Sequence, residues 1–294
     1  MPTLTEKTAA LRSLQTPGAP FVIPNPWDAG SARILKELGF KALATTSSGF
    51  ALTLGRKDYG VRREEAVTHG GVIADAVDIP VIADLENGFG VTVDDAAQTI
   101  KDALATNLSG GSIEDSSGDT DDPIIDKSLA VERIAAAAET IKTADRDFVL
   151  TARAEGFLHG RGDLDDIIAR LQAFDDAGAD VLYAPGLPDL DAVRAVCAAV
   201  SKPVNILIIG KLAQHAVAEF ADAGAARLSI GGGLAWSAYG TLANAAKMLT
   251  DGTFDCLGAN KDGAKTVARF LYRPITYFFP LFPRAFSARA FPPP

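Results

Sequence analysis

Residues 148–186 read FVLTARAEGFLHGRGDLDDIIARLQAFDDAGADVLYAPG. The apolar run FVLTA is followed by a polar, glycine-bearing connection and then by LDDIIARLQAFDDAGA, whose apolar positions recur at helical spacing. Gly178 suits the left-handed cap that stops a helix, and a second short apolar run, DVLYAPG, begins at Asp180. A strand, a loop, a helix and another strand in this order form one βα unit feeding a parallel sheet. The same pattern extends in both directions. Strand candidates begin at Phe21 (FVIPN), Ala42 (ALATTSS), Pro80 (PVIADLE), Gly110 (GGSIEDS), Phe148 (FVLTARAE), Asp180 (DVLYAPG), Pro203 (PVNILII) and Ala226 (ARLSIGGG), and helical patterns such as SARILKELGF, AVERIAAAAETIKTA and KLAQHAVAEFADAGA follow strands. Gly39 and Gly224 repeat the role of Gly178. Eight such units predict an α/β chain folded as a (β/α)8 TIM-type barrel over residues 1–254, with an N-terminal helix, rather than an open doubly wound sheet.

Composition bounds the partners. The chain has 294 residues, with Lys+Arg 28 against Asp+Glu 37 for a net charge of −9, and is 48% hydrophobic, so it can bury a large core and is not a disordered chain. An acidic chain offers no electrostatic basis for nucleic-acid binding. Cys197 and Cys256 have no paired spacing, which argues against a disulfide framework or a zinc site. The run AVCAAVSKPVNILIIGKL is broken by Lys202, Pro203, Gly210 and Lys211, which is wrong for a membrane span, and MPTLTEKTAALRSL lacks the apolar stretch of a signal peptide. These features predict a soluble, cytoplasmic protein.

In a barrel of this kind the chemistry collects at the C-terminal ends of the strands. Polar residues gather there: Asn25, Trp27 and Asp28 after the first strand, Thr46, Ser47 and Ser48 after the second, Asp84 and Glu86 on the third. The fourth ends in Glu114 and Asp115, the fifth in Arg153 and Glu155, and the sixth in Tyr183; Asn205 lies on the seventh and Ser229 on the eighth. Asp84, Glu86 and Glu114 would converge with Asp58 from the loop after the second strand. Four carboxylates at one mouth repel one another unless a cation holds them, and an oxygen-rich set suits Mg²⁺, with Mn²⁺ possible. Since Mg²⁺ keeps several waters, one direct ligand, Asp84, is expected, the others acting through water. Arg153 should point into the same mouth, where a guanidinium recognises a carboxylate or phosphate, so a small anionic substrate is expected. The alternative for this set is structural: helix caps, rim ion pairs, or an Arg153–Glu114 or Arg153–Asp84 pair. The turn Ser47-Ser48-Gly49-Phe50 could cradle a substrate carboxylate or oxyanion.

The combination PNPWDAGSARILKELGFKALATTSSGFALTLGRKD, ADLENGFG, GGSIEDS and TARAE resembles the isocitrate lyase/phosphoenolpyruvate mutase superfamily over about residues 22–249. The resemblance implies that Asp84 binds Mg²⁺ directly, that Asp58, Glu86 and Glu114 hold its water ligands, that Ser47, Gly49 and Phe50 bind the substrate carboxylate and oxyanion, and that Arg153 binds a second anionic group. With Asn205 added as a substrate contact, Arg153, Asp58 and Glu114 stand as the catalytic candidates. It implies a metal-dependent lyase or decarboxylase that cleaves a C–C bond beside a 2-oxo acid through an enolate, on a small 2-oxo or 2-hydroxy dicarboxylate, like 2-methylisocitrate lyase or oxaloacetate decarboxylase. A P–C bond enzyme (phosphonopyruvate hydrolase or phosphoenolpyruvate mutase) and a non-catalytic oxo-acid-binding homologue are the alternatives.

The chain departs from the family after the fourth strand. SSGDTDDPIIDKS has neither the Cys and His of the lyase branch nor the Lys and Asn of the phosphonate branch. The Gly- and Asp-rich stretch 116–126 would suit a lid or a plain solvated connection. Asp115, Asp119, His159 and Tyr183 are the candidate acid/base groups, and His69 and His215 are assigned no role. From Phe270 to Pro294 the chain holds eight aromatics, six prolines, three arginines and no acid. The family exchanges a barrel helix between subunits, so residues 255–294 are expected to pack on a neighbouring subunit of a dimer or homotetramer. The alternative is a tail folded on its own barrel.

Overall fold

The computed structural model describes residues 2–259 and 261–271. Eight parallel strands form one sheet: β1 (Phe21–Ile23), β2 (Leu43–Ala44), β3 (Val81–Asp84), β4 (Gly110–Glu114), β5 (Val149–Arg153), β6 (Val181–Tyr183), β7 (Val204–Leu207) and β8 (Arg227–Ser229). β1 pairs with β8, and the order then runs back to β2. β1 and β2 meet through the bond from the Ala44 N–H to the Pro24 carbonyl at 3.2 Å, which closes the expected barrel. The strands are shorter than the apolar runs that announce them. Their polar ends turn out of the ladder, as where Thr46 leaves β2 to cap α3 (Ser47–Thr53) by accepting from the Gly49 N–H.

The ring of helices comprises α2 (Ala29–Glu37), α4 (Arg63–Asp75), α5 (Val93–Leu104), α6 (Lys127–Lys142), α7 (Leu164–Asp176), α8 (Leu190–Ala199) and α9 (Val217–Asp222), the last preceded by a 3₁₀ turn, Gly210–Gln214. Each lays one stripe on the sheet. In α7, Ile167, Leu171 and Phe174 are buried at spacings of four and three, while Asp163 caps the start by accepting from the Asp166 N–H. Gly39, Gly178 and Gly224 all have φ near +90° (97°, 102° and 89°), the left-handed stop expected before β2, β6 and β8. No helix among the described residues is long and apolar enough to cross a membrane.

The end of the barrel opposite the strand C-termini is sealed by α1 (Leu4–Leu14). Its Leu11, fully buried, packs with Ile23, Ala42, Ile82, Val149 and Val181. Next to it Arg12 clamps two strand starts: its guanidinium donates to both carboxylate oxygens of Asp147 (2.6 and 2.7 Å) and to Asp180 (2.7 Å). The network is partly open to solvent, so screening limits it to about 1 kcal/mol. Arg12 also holds the Asp147 carboxyl below its usual value. A lowered carboxyl pKa contributes stability above the usual carboxylate range, and that contribution is lost as pH falls through the lowered value. Arg12→Ala is therefore expected to cost about 1 kcal/mol in urea melts at neutral pH. The difference from wild type should vanish in acid; a pH-independent difference would assign the loss to packing.

α10 (Gly233–Thr250) is the eighth barrel helix, yet among its residues Ala235 alone is buried. Its first turn touches α3, where the Trp236 indole N–H donates to Ser48 Oγ at 3.2 Å, and beyond it the principal neighbour is α11 (Asp255–Ala259). Leu234, Trp236, Leu242, Met248 and Leu249 are exposed. α12 (Lys261–Leu271) lies against α2 of the same chain. The exposed face thus begins at Gly233, and of the segment 255–294 expected to pack on a neighbouring subunit, residues 260 and 272–294 lie outside the described residues.

Candidate active site

The strand C-termini surround a cavity of about 180 Å³ that runs from the mouth into the barrel. Asp58, Asp84, Arg153, Ser47 and Ser48 line its upper part. Below them one wall, from β4 to β8, is polar, with Ser112, Thr151, Tyr183, Asn205, Arg227 and Ser229; the other, from β1 to β3, is apolar, with Ile23, Ala44 and Ile82.

Arg153 organises the acids. At the end of β5 it donates through Nη1 to Asp84 Oδ1 (3.0 Å) and through Nε to Glu155 Oε1 (2.8 Å), and its Nη2 lies 3.2 Å from Glu114 Oε2. Its guanidinium lies over the Tyr183 ring at 4.9 Å from the centroid, a cation–π contact. The pairs Arg153–Glu114 and Arg153–Asp84, one of the alternatives left open by the sequence, are both present. They do not balance the site. Asp58, Asp84, Glu86, Glu114 and Glu155 crowd around this one contacting guanidinium. Burial, with Asp84 and Asp58 alongside, pushes Glu86 up to about 8. Burial likewise raises Glu114 well above its ordinary value. Asp58 keeps solvent contact at the rim, but desolvation and the Asp84 charge still raise its pKa.

Two loops hold the acids in place, and both are strained. Among the described residues, the non-glycine residues with left-handed φ are Tyr59 (60°), Glu86 (48°) and Phe89 (59°), all in the loop after α3 or the turn after β3. Such conformations persist where the surroundings over-determine them, commonly at functional sites. The Tyr59 hydroxyl donates to Glu114 Oε1. Buried Arg133, from α6, donates through Nη2 to the carbonyls of Asn87 and Gly90 (2.9 Å to the latter), pinning the ADLENGFG turn. The Ser47 N–H donates to Asp84 Oδ2 at 3.2 Å and the Glu86 N–H to Oδ1 at 3.3 Å, so Asp84 is oriented from three sides.

This donor set fits a hard divalent cation: all oxygens, an excess of negative charge, and raised carboxyl pKa values that a cation would relieve. Among the described residues, no three His, Cys, Asp or Glu side chains form a ready-made metal-ligand group. The acids sit around Asp84 rather than on one point, an arrangement that suits one direct carboxylate with water between the ion and the rest.

The other expected residues divide. Ser47 lines the cavity, but Gly49 and Phe50 do not: the Gly49 N–H donates to Thr46 Oγ1 and the Phe50 N–H to the Thr46 carbonyl (2.9 Å), both within the first turn of α3. The turn folds as a helix start, which consumes those amides. Phe50 instead stacks on His69 at 3.7 Å beside a smaller cavity, and the His69 Nε2 bonds the Trp27 carbonyl. Asn205 lines the main cavity, its amide spanning Arg227 Nε (2.8 Å) and Ser229 Oγ (2.9 Å). Asp115 is buried, accepting from the Glu155 N–H (2.7 Å) and Arg170 Nη1 (3.3 Å), which suits positioning. Asp119 and His159 lie exposed in loops. Residues 116–126 close on themselves through the Ser116–Ile124 bridge and the bond from the Ser117 N–H to the Pro123 carbonyl (2.8 Å), leaving the tip exposed. Sequence reasoning does not reach Tyr59, Arg133 or Arg227. Arg227 alone carries a signal, since it alternates with Ser229 between apolar Ala226 and Leu228 and so has to face inward.

The family model described as phosphoenolpyruvate phosphomutase matches residues 11–250. The 2-methylisocitrate lyase of Escherichia coli K12 is 31% identical over 66% of this chain and 67% of its own. A solved structure from Burkholderia cenocepacia J2315, classed provisionally as a lyase/mutase, is 46% identical with a TM-score of 0.87, covering 92% of this chain and 98% of that one. The structure of oxaloacetate acetylhydrolase with its product oxalate is 25% identical with a TM-score of 0.78, covering 90% and 94%.

Proposed function

Because the chain belongs to the phosphoenolpyruvate phosphomutase family, we propose that it is a Mg²⁺-dependent carbon–carbon lyase or decarboxylase acting on a small 2-oxo or 2-hydroxy dicarboxylate. The observation that carries this reading is the surplus of carboxyl groups around Asp84 at the mouth of a cavity with a polar wall. Mg²⁺ (or Mn²⁺), when bound, supplies a Lewis acid for the oxygen beside the bond that breaks. Asp84 would hold the ion, and Asp58, Glu86 and Glu114 would hold its waters. Ser47 and Ser48 line the same cavity, and their hydroxyls would orient the acid end of the substrate. Arg153 exchanges part of its contact with the acids for a substrate carboxylate. Tyr183, whose hydroxyl burial pushes up to about 12, stays protonated and can donate to a developing oxyanion or to the carbon that needs a proton. Related proteins support the class: one relative is a 2-methylisocitrate lyase, and one structural neighbour was solved with oxalate as its product.

Coupled detection of released pyruvate or other 2-oxo acid across a panel of such substrates, with and without EDTA, tests the proposal. EDTA-sensitive release is expected; turnover unaffected by EDTA would contradict it. The exposed apolar face of α10 favours assembly through an exchanged helix beginning at Gly233. Light scattering is expected to give a dimer or tetramer, and a monomeric mass would overturn the exchange.

A further inference from the structure

Arg227 lies on the floor of the active-site cavity without an acid to balance it. It is 4% exposed and lines the cavity below Asn205. Its Nε donates to Asn205 Oδ1 (2.8 Å), its Nη2 to Thr151 Oγ1 (3.2 Å) and its Nη1 to Gln15 Oε1 (3.4 Å), all neutral acceptors. Among the described residues no carboxylate forms an ion pair with it, whereas the other cavity arginine, Arg153, contacts three. Desolvation lowers its pKa to about 10, which still leaves it charged at neutral pH. A buried charge without a counter-charge is costly, and three neutral hydrogen bonds do not replace an anion. The barrel interior around it departs in the same direction. Ser112 and Thr151, paired across β4 and β5, take inward places that bulky branched side chains usually fill, and both line the cavity.

We propose that Arg227, with Thr151 and Ser112, forms a deep anion subsite that receives the far carboxylate of the substrate, while its 2-oxo or 2-hydroxy acid end sits at the Asp84 cluster. The inference rests on the function proposed above and deepens it. The acid end lies at the mouth, the aliphatic link runs along Ile23, Ala44 and Ile82, and the second carboxylate meets Arg227. The subsite selects dicarboxylates over monocarboxylates and leaves recognition of the chelating end to the mouth.

Calorimetry with Mg²⁺ present separates the two ends of the site. Lactate and malate share the 2-hydroxy acid end and differ by the second carboxylate; oxalate reports the mouth alone. Wild type is expected to bind malate at least about tenfold tighter than lactate, the worth of one charge-assisted contact. Arg227→Gln should erase that preference and leave oxalate affinity unchanged. A malate preference that persists in the variant, or that is missing in wild type while oxalate binds, overturns the subsite. Absence of oxalate binding to wild type with Mg²⁺ overturns the functional reading and this inference with it. If Arg227→Gln shows no cooperative melting, Thr151→Val, which removes one hydroxyl and keeps the shape, decides: a reduced malate preference is expected, and an unchanged one overturns the proposal.

Discussion

Asp84→Asn is expected to abolish Mg²⁺-dependent binding of oxalate and to lower turnover by about a thousandfold or more, since Lewis-acid stabilisation is worth several kcal/mol and each 1.4 kcal/mol is a factor of ten. The substitution removes the charge and keeps the shape. The amide oxygen of the variant side chain would remain an acceptor for the Ser47 N–H or for Arg153, which hold the native carboxylate at 3.2 and 3.0 Å. The change also relieves repulsion with Asp58 and Glu86, both of whose pKa values Asp84 helps to raise. Melting in EDTA should therefore stay level or rise while function is lost, the pattern of a site that trades stability for chemistry. A parallel fall of stability and activity would instead mark Asp84 as an ordinary structural partner of Arg153.

Arg153→Met is expected to produce the largest loss of stability of any single change in the site, about 3–5 kcal/mol, because it leaves buried acids without their counter-charge. Glu114 and Glu155 are 3% and 1% exposed and cannot turn to water. Urea denaturation in EDTA measures the effect without any contribution from a bound ion. Lysine at the same position restores charge but not the fork that reaches Asp84, Glu114 and Glu155 together, so Arg153→Lys should recover part of the stability. Equal stability for the methionine variant and wild type would mean that the acids are balanced elsewhere.

The barrel is legible in the sequence because its signals are local. Alternating apolar runs and helical stripes specify strands and helices over a few residues, and Gly39, Gly178 and Gly224 stop helices through backbone geometry alone. The grouping of Asp84, Glu114 and Arg153 follows from the same local logic, as each sits at the end of its strand. What is not legible depends on three-dimensional neighbours. Whether Ser47-Ser48-Gly49-Phe50 forms a cradle or a helix start is decided by Thr46, whose hydroxyl and carbonyl take the Gly49 and Phe50 amides. That Tyr59 reaches Glu114 depends on a left-handed backbone no tyrosine announces. The exposure of the apolar face of α10 is likewise hidden, because an apolar stripe does not say what packs on it.

On the function proposed above, the Asp84 cluster holds a divalent ion that a 2-oxo or 2-hydroxy acid chelates. A crystal structure grown with Mg²⁺ and oxalate tests it most directly. One ion bound directly by Asp84 is expected, with waters between it and Asp58, Glu86 and Glu114, and oxalate completing its coordination. An ion bound elsewhere, or oxalate held at the mouth without metal while Arg153 still grips Asp84, would contradict it.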